Sequence, residues 1–371
     1  MVNYKKLFLI SLAISLISAV ALILFTTDAD TIDALLQIRP VYILAALAIQ
    51  ILTYLITARK TKFLARALGY DVRTRHMLEN CLAGILLASL TPSSVGGEPV
   101  RILLLNKNSG VPVGKSTAII FMERLLDVFF IFLCLIPSIF ILHTVFVSDD
   151  NGILSLGTLL ILALVILVFV VAVLLYGVFR PESAKKGIRY VLVLTSKILP
   201  AKYRPKIDRM IIASENEMDL FHSSFRRFIS VGKVSFLISL FYTALYWFAH
   251  FSILLFILMG LNVRLDMNGL LLLYATQVVL VLIMVIPATP GGSGIAEIGA
   301  YSLFSLFIPA PLVGVAVIAW RAITYYVNII AGSLASLRVI RRYGINAFAD
   351  PGELPANPTN PADSNLPPGS G

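Results

Sequence analysis

Four stretches of the chain, Leu7 to Phe25, Val41 to Ala58, Leu154 to Phe179 and Val234 to Met259, contain no Lys, Arg, Asp or Glu. Each reaches the roughly 18 residues that a helix needs to cross a hydrocarbon core of about 30 Å. Within lipid every backbone amide and carbonyl must be satisfied inside the protein, and helices do this within themselves. Only 13% of residues are charged and 58% are apolar, which no ordinary soluble domain matches. The chain is therefore read as one all-α polytopic membrane domain over residues 1–343, followed by a Pro-, Asn- and Gly-rich tail over 344–371 expected to be disordered.

Thirty Lys and Arg against twenty Asp and Glu could suggest nucleic acid. They cluster instead at the ends of apolar runs and in a central loop over about 180–233, the pattern of topology signals and anionic-lipid contact. No nucleic-acid partner is expected. Cys81 and Cys134 lie in apolar segments and imply neither a disulfide nor a thiolate cluster. His76, His143, His222 and His250 lack metal-ligand spacing, so no metal and no cofactor is expected.

Lys5 and Lys6 precede the first run and Asp28, Asp30 and Asp33 follow it without an A-x-A-like cleavage site, which suggests a retained helix with a cytoplasmic N-terminus. Arg59, Lys60, Lys62 and Arg66 after the second run belong on the same side. Further spans are expected at about Ala118–Val147 and Leu312–Leu337. Two other apolar stretches, Met77–Leu105 and Leu270–Phe307, are interrupted by Pro and Gly, which end helices. If each crossed once, the basic central loop would lie outside, against the positive-inside rule. If each dips in and returns, every basic cluster is cytoplasmic. The predicted topology is about six full transmembrane helices plus two re-entrant helical hairpins, in the cell membrane, with both termini cytoplasmic.

In the central loop, Ile188, Val191, Leu192, Thr195 and Ile198 recur at helical spacing, as do Phe221, Phe225, Phe228 and Ile229 beside Arg226 and Arg227. These segments suit either interfacial helices on anionic lipid or a helical pair packed on itself.

The two interruptions resemble each other. Thr91-Pro92 precedes Gly96, Gly97 and Glu98, while Thr289-Pro290 precedes Gly291, Gly292, Gly294 and Glu297. A span with an arginine follows each, Glu123-Arg124-Leu125-Leu126-Asp127 in the first copy and Arg321 with Tyr325 in the second. The separations from 91 to 124 and from 289 to 321 are nearly equal. Under the predicted topology the copies are inverted, an arrangement that marks the midplane binding sites of many transporters. The helix that begins after each break turns amides and a positive dipole end inward, where they suit an anion. Glu98 and Glu297 sit at those starts, as caps or proton-linked groups. Intramembrane charges cost about 2.5–3.5 kcal/mol each on insertion scales and usually pair or serve function. Glu123 and Asp127 are spaced i, i+4, Arg124 reaches Asp127 at i, i+3, and Glu98 lies one turn from Arg101. A structural ion-pair network could account for these residues; a polar headgroup site accounts for them and for both breaks.

The segments Thr91-Pro92…Gly96-Gly97-Glu98-Pro99-Val100-Arg101, Glu123-Arg124-Leu125-Leu126-Asp127 and Pro290-Gly291-Gly292-Ser293-Gly294-Ile295-Ala296-Glu297 resemble the lysylphosphatidylglycerol synthase transmembrane-region family, also called flippase-like membrane proteins. The resemblance covers about residues 5–340. It implies movement of lipid between leaflets, of aminoacyl phospholipid in some members and of polyprenyl-linked glycans or hopanoids in others. Members that synthesise the aminoacyl lipid carry a further soluble transferase domain. The tail here stands in its place, so synthase activity is not expected.

The sequence thus points to a lipid translocase that binds a phosphate-bearing headgroup between the hairpins. Arg101, Arg124 and Arg321 would meet the anion, and Gly96, Gly97, Gly291, Gly292 and Gly294 would admit backbone to it. No catalytic constellation is evident and no enzyme activity is expected. Membrane lipids, whether anionic or aminoacyl phospholipid or polyprenyl-phosphate glycan, are the expected partners. The rival readings are a headgroup-modifying enzyme and a membrane scaffold for a separate glycosyl- or aminoacyl-transferase.

Overall fold

The computed structural model describes residues 38–91, 96–146, 216–228, 233–284 and 292–343, with isolated positions at 165, 168 and 172. The first apolar run, most of the span over 154–179, the central loop before residue 216, Pro92, Thr289, Pro290, Gly291 and the tail lie outside the described residues.

Every regular element among these residues is helical. The helices are α1 (Pro40–Ala67), α2 (Thr74–Leu90), α3 (Gly97–Ser109), α4 (Val113–Phe146), α5 (216–228), α6 (Lys233–Gly260), α7 (Met267–Met284), α8 (Ile295–Phe304), α9 (Ala310–Arg321) and α10 (Val327–Tyr343). A single π-helical segment, Ala322–Tyr326, joins α9 to α10 without a break. Among the described residues, five segments are long and apolar enough to cross a membrane: Pro40–Ala67, Val113–Leu142, Lys233–Gly260, Met267–Met284 and Ala310–Tyr343. Met267–Met284 was expected only as one arm of a hairpin, and its 18 residues are also enough to span.

Prolines mark the starts. Pro40 opens α1 and Pro311 lies in the first turn of α9, where a missing amide hydrogen costs nothing because that amide has no helical partner. The outer surface is apolar, with Leu44, Ile51, Phe129, Leu133, Phe140, Phe241 and Phe248 exposed, while Lys60, Glu79, Arg101, Glu123, Glu297 and Arg321 are buried. That inversion of the soluble pattern is what a hydrocarbon solvent selects, since polar groups can be satisfied only inside the bundle.

Contacts fix the helix directions. Arg39 N donates to Gly260 O at 2.9 Å and Phe63 stacks on Tyr242, so α1 and α6 run antiparallel along their length. Helices α2 and α3 fold back on each other: an ideal Cβ on Gly97 would lie 2.7 Å from Gly84 O, and Asn80 bonds to Arg101 one turn further along. Helices α7 and α8 also fold back, with Gly299 facing Leu280 and Gly292 facing Met284. Arg342 at the end of α10 pairs with Glu79 near the start of α2, while Tyr325 reaches Ser89 at the other end. Helix α10 therefore opposes α2. Because α3 opposes both α2 and α4, the helices that follow the two breaks, α4 and α10, run in opposite directions.

Helix α5 carries Phe221, Phe225 and Phe228 into a cluster with Phe121, Leu64 and Met122. Its aromatic face is therefore occupied by α1 and α4, while the first amphipathic segment, Ile188 to Ile198, lies outside the described residues.

Candidate functional site

The first break is held by a local device. Thr91 Oγ1 donates to Leu87 O at 2.8 Å and accepts the Gly96 amide at 2.9 Å, tying the end of α2 to the start of α3. A Cβ on Gly96 would collide with that threonine, and one on Gly84 would collide with the Arg101 side chain. Glycine at these places lets α2 and α3 close to backbone contact, which brings three helices' charges together.

Arg101 of α3 meets Glu123 of α4 in a two-pronged pair, Nη1–Oε1 and Nη2–Oε2 both at 2.8 Å. Its remaining donors reach Asn80 Oδ1 at 3.1 Å and Thr61 Oγ1 at 3.1 Å. Thr61 donates in turn to Glu123 Oε2 at 2.6 Å. Lys60 Nζ lies 2.7 Å from Asp127 Oδ1. Arg124 Nε lies 2.9 Å from Glu98 Oε1, and its Nη1 lies 3.4 Å from Asp127 Oδ2. The i, i+3 contact of Arg124 with Asp127 is as the sequence suggested. Glu98 and Arg101 do not pair with each other: each turns across to α4, because charges one turn apart on α3 both face that helix.

The burial of these charges differs. The Arg101 and Glu123 side chains are 4% and 1% exposed, whereas Arg124 and Glu98 are 49% and 34% exposed. Arg124 and Glu98 face a cavity of about 160 Å³ that also exposes Lys60, Arg101, Glu123 and Asp127. Three cations and three anions line it, so its formal charge balances. Gly97 and Glu98, at the start of α3, bring a helix N-terminus to its wall. The rest of its lining includes uncharged and aromatic residues, Gln50, Tyr54, Tyr246, Trp247, His250 and Asn328.

The second break repeats the glutamate–arginine pair and seals it. Arg321 Nε lies 2.8 Å from Glu297 Oε1, the same atom pair as Arg124 and Glu98, and these side chains are only 5% and 3% exposed. Glu297 Oε2 also accepts the Gly294 amide at 2.7 Å, so the cap reading of this glutamate holds. Gly292 and Gly294 have φ of +67° and +88°, which side chains rarely adopt. The Tyr325 ring covers the Arg321 guanidinium at 4.3 Å, and its hydroxyl reaches Ser89 O at 3.5 Å across to the first hairpin. The structure thus gathers Gly97, Glu98, Arg101, Glu123, Arg124 and Asp127 at one cavity and places Gly292, Gly294, Glu297, Arg321 and Tyr325 in a neighbouring sealed cluster.

Sequence reasoning missed most of the lining that α1 and α6 supply. Lys60 was grouped with the cytoplasmic basic cluster, yet it is 1% exposed and helix α1 continues beyond it to Ala67. The available signal was a polar stripe at helical spacing, Gln50, Thr53, Tyr54, Thr57, Lys60 and Thr61, in an otherwise apolar run. Tyr246 and His250 form a second such stripe on α6, with rings stacked at 5.8 Å.

Comparison with known proteins finds relatives that are membrane proteins. The chain is 30% identical over 327 residues to a UPF0104 membrane protein of Archaeoglobus fulgidus, covering 88% of this chain and 95% of that one. It is 26% identical over 337 residues to a UPF0104 membrane protein of Methanocaldococcus jannaschii, covering 90% and 95%. A third such protein, of Methanothermobacter thermautotrophicus, is 27% identical over 78% of this chain and 82% of its own length. No solved structure matches the chain. Residues 8–332 match the family described as lysylphosphatidylglycerol synthase TM region, and the chain is a membrane protein that belongs to it.

Proposed function

We propose that this protein moves a phosphate-bearing lipid between leaflets without altering its covalent structure. The observation that carries the reading is the cavity beside the first break, where a half-exposed Arg124 and the N-terminus of α3 meet a polar chamber inside an apolar-surfaced bundle. Such a chamber suits a headgroup, while the lipid tails stay in the hydrocarbon outside. The opposed hairpins supply two packings that could alternate about it. In this reading Arg124 is the anion contact, Arg101 and Glu123 hold the wall, and Arg321 and Glu297 brace the second hairpin. In this reading the first hairpin enters and leaves on the cytoplasmic side, the second on the outer side, and both termini are cytoplasmic.

The test is purified protein in liposomes, read by leaflet accessibility of labelled lipid and by mass analysis afterwards. Faster exchange with unmodified lipid is expected. A modified headgroup would make the protein an enzyme, and unmodified lipid without exchange would favour the scaffold. Single cysteines at 107 and 197 should label from the cytoplasm and one at 262 from outside, in a background lacking Cys81 and Cys134. External labelling at 197 would overturn the re-entrant topology.

A further inference from the structure

The charged groups of the cavity satisfy one another, but its uncharged side does not. Gln50 Oε1, Trp247 Nε1 and His250 Nδ1 are shut off from water and have no hydrogen-bond partner among the described residues. All three residues line the cavity, and these atoms, which have no surface of their own on it, lie just behind its wall, so a bound group meets them only by displacing that wall. Gln50 is held in place by its amide, which donates to Asn328 Oδ1 at 2.9 Å, and Tyr54 OH meets the same oxygen at 2.5 Å. Its carbonyl oxygen is thus fixed and unused, in a residue only 3% exposed. Buried polar atoms are nearly always paired, so three unpaired ones at one wall call for a missing partner.

Their chemistry restricts that partner. Gln50 Oε1 can only accept a hydrogen bond and the Trp247 indole can only donate one, while His250 Nδ1 does either according to its tautomer. An ammonium group can only donate and leaves the indole unmet. A phosphate or carboxylate oxygen can only accept and leaves Gln50 unmet. A hydroxyl donates and accepts, and adjacent hydroxyls would meet all three atoms. The stacked Tyr246 and His250 rings, with Trp247 set at 82° to Tyr246, add flat apolar faces for carbon–hydrogen groups. At about 160 Å³ the cavity has room for about five waters' worth of volume. That encloses a phosphate and a few adjacent hydroxyls, with the rest of a larger headgroup standing outside it.

We infer that the headgroup bound here is a phospho-polyol: its phosphate faces Arg124 and its hydroxyls are read by Gln50, Trp247 and His250, in preference to an amine-bearing headgroup. This rests on the cavity being the lipid site of the proposed translocase. The shared chemistry could come from a glycerophosphate headgroup or from a polyprenyl-phosphate hexose.

Binding and transport are measured separately, so that the two readings fail separately. Detergent-solubilised protein is offered an equimolar mixture of phosphatidylglycerol, polyprenyl-phosphate hexose, phosphatidylethanolamine and aminoacyl phosphatidylglycerol, and retained lipid is weighed by native mass spectrometry. The intact protein should enrich one of the first two at least tenfold over phosphatidylethanolamine, and which of them it enriches names the source. Gln50→Leu, which removes the acceptor together with the amide bond to Asn328, and Trp247→Phe, which removes the donor and leaves a smaller ring, should each abolish that preference. Thermal unfolding identifies a variant that has not folded, and the other then carries the test. Enrichment of an amine-bearing lipid, no preference, or a preference that survives both substitutions would overturn the inference. Leaflet exchange in vesicles of the same lipids reports on transport: a polyol preference without exchange retains this site and removes the translocase.

Discussion

The two hairpins carry the same glutamate–arginine pair, in the same atoms and at nearly the same distance, and differ in what surrounds it. Glu98 and Arg124 stand half exposed at a cavity, and Arg124 is shared with Asp127. Glu297 and Arg321 are sealed, capped on a backbone amide and covered by Tyr325. A buried pair is expensive to desolvate and more expensive to break, because removing one partner strands the other charge. The sealed copy is therefore read as a brace, and the open copy as the one able to exchange its partner for a ligand.

The largest effect expected from this comparison is on stability. Arg321→Ala should destabilise the protein by about 3–5 kcal/mol, as loss of a buried ion partner does. Arg124→Ala should cost less than about 1 kcal/mol, like other exposed pairs, yet abolish lipid exchange. Thermal unfolding in detergent beside the vesicle assay separates the two. Equal losses of stability would erase the distinction between brace and site. Combining Arg321→Met with Glu297→Leu should recover part of the loss, because no charge is then left buried alone.

The next effect compares hairpin packing. In the first hairpin a Cβ on Gly97 would lie 2.7 Å from Gly84 O, a backbone atom that cannot swing aside. In the second, a Cβ on Gly299 would meet the end of the Leu280 side chain at 3.1 Å. Gly97→Ala should therefore cost about 1–3 kcal/mol by overpacking, and Gly299→Ala less than that. A Gly97→Ala protein of unchanged melting temperature would show that the first hairpin is looser than its geometry implies.

A smaller change is expected at the contact between hairpins. Tyr325→Phe keeps the ring over Arg321 and removes a long hydrogen bond to Ser89 of 3.5 Å, so stability should fall by no more than about 0.5–1 kcal/mol. A larger fall, or a selective loss of exchange, would make this hydroxyl the coupling between the repeats.

The smallest effect is a control outside both hairpins. Asp71, beyond the end of α1, is held below the usual carboxylate range by the hydrogen bond from Arg66, with added attraction from Arg66 and Lys62. Its carboxylate is depressed in the folded state, so its contribution is present above about pH 4 and disappears as pH falls through the lower folded value. It is well exposed, so Asp71→Asn should leave the neutral-pH melting temperature almost unchanged. A fall comparable to Arg321→Ala would mean that surface charge, not burial, governs this protein.

Much of the site was legible in the chain. The pairing of Arg124 with Asp127 follows from helical spacing, and the repeat singled out Glu98, Glu297 and both arginines, but spacing set Glu98 beside Arg101, and the pairs Glu98–Arg124 and Glu297–Arg321 appear only in the structure. Lys60 was not legible as a site residue, because a lysine at the end of an apolar run looks like a topology signal. Only the continuation of α1, and the presence of Asp127 on a neighbouring helix, make it an interior cation. Trp247 and His250 were hidden for a related reason: aromatic residues in an apolar helix give no local sign of the face that meets a cavity.

What the sequence determined by itself is local or additive. Apolar length fixed the membrane class and the helices, Pro and Gly fixed the breaks, and the recurrence of both fixed the repeat, since each depends on the properties of a segment alone. What only the tertiary structure decided is which charges are partners and which remain open. Arg101 chooses Glu123 on α4 over Glu98 on its own helix, and Arg321 is covered while Arg124 is not. Those outcomes depend on how the helices cross, which glycine contacts between packed helices set. In a low-dielectric interior the position of a partner within a few ångströms outweighs its position in sequence.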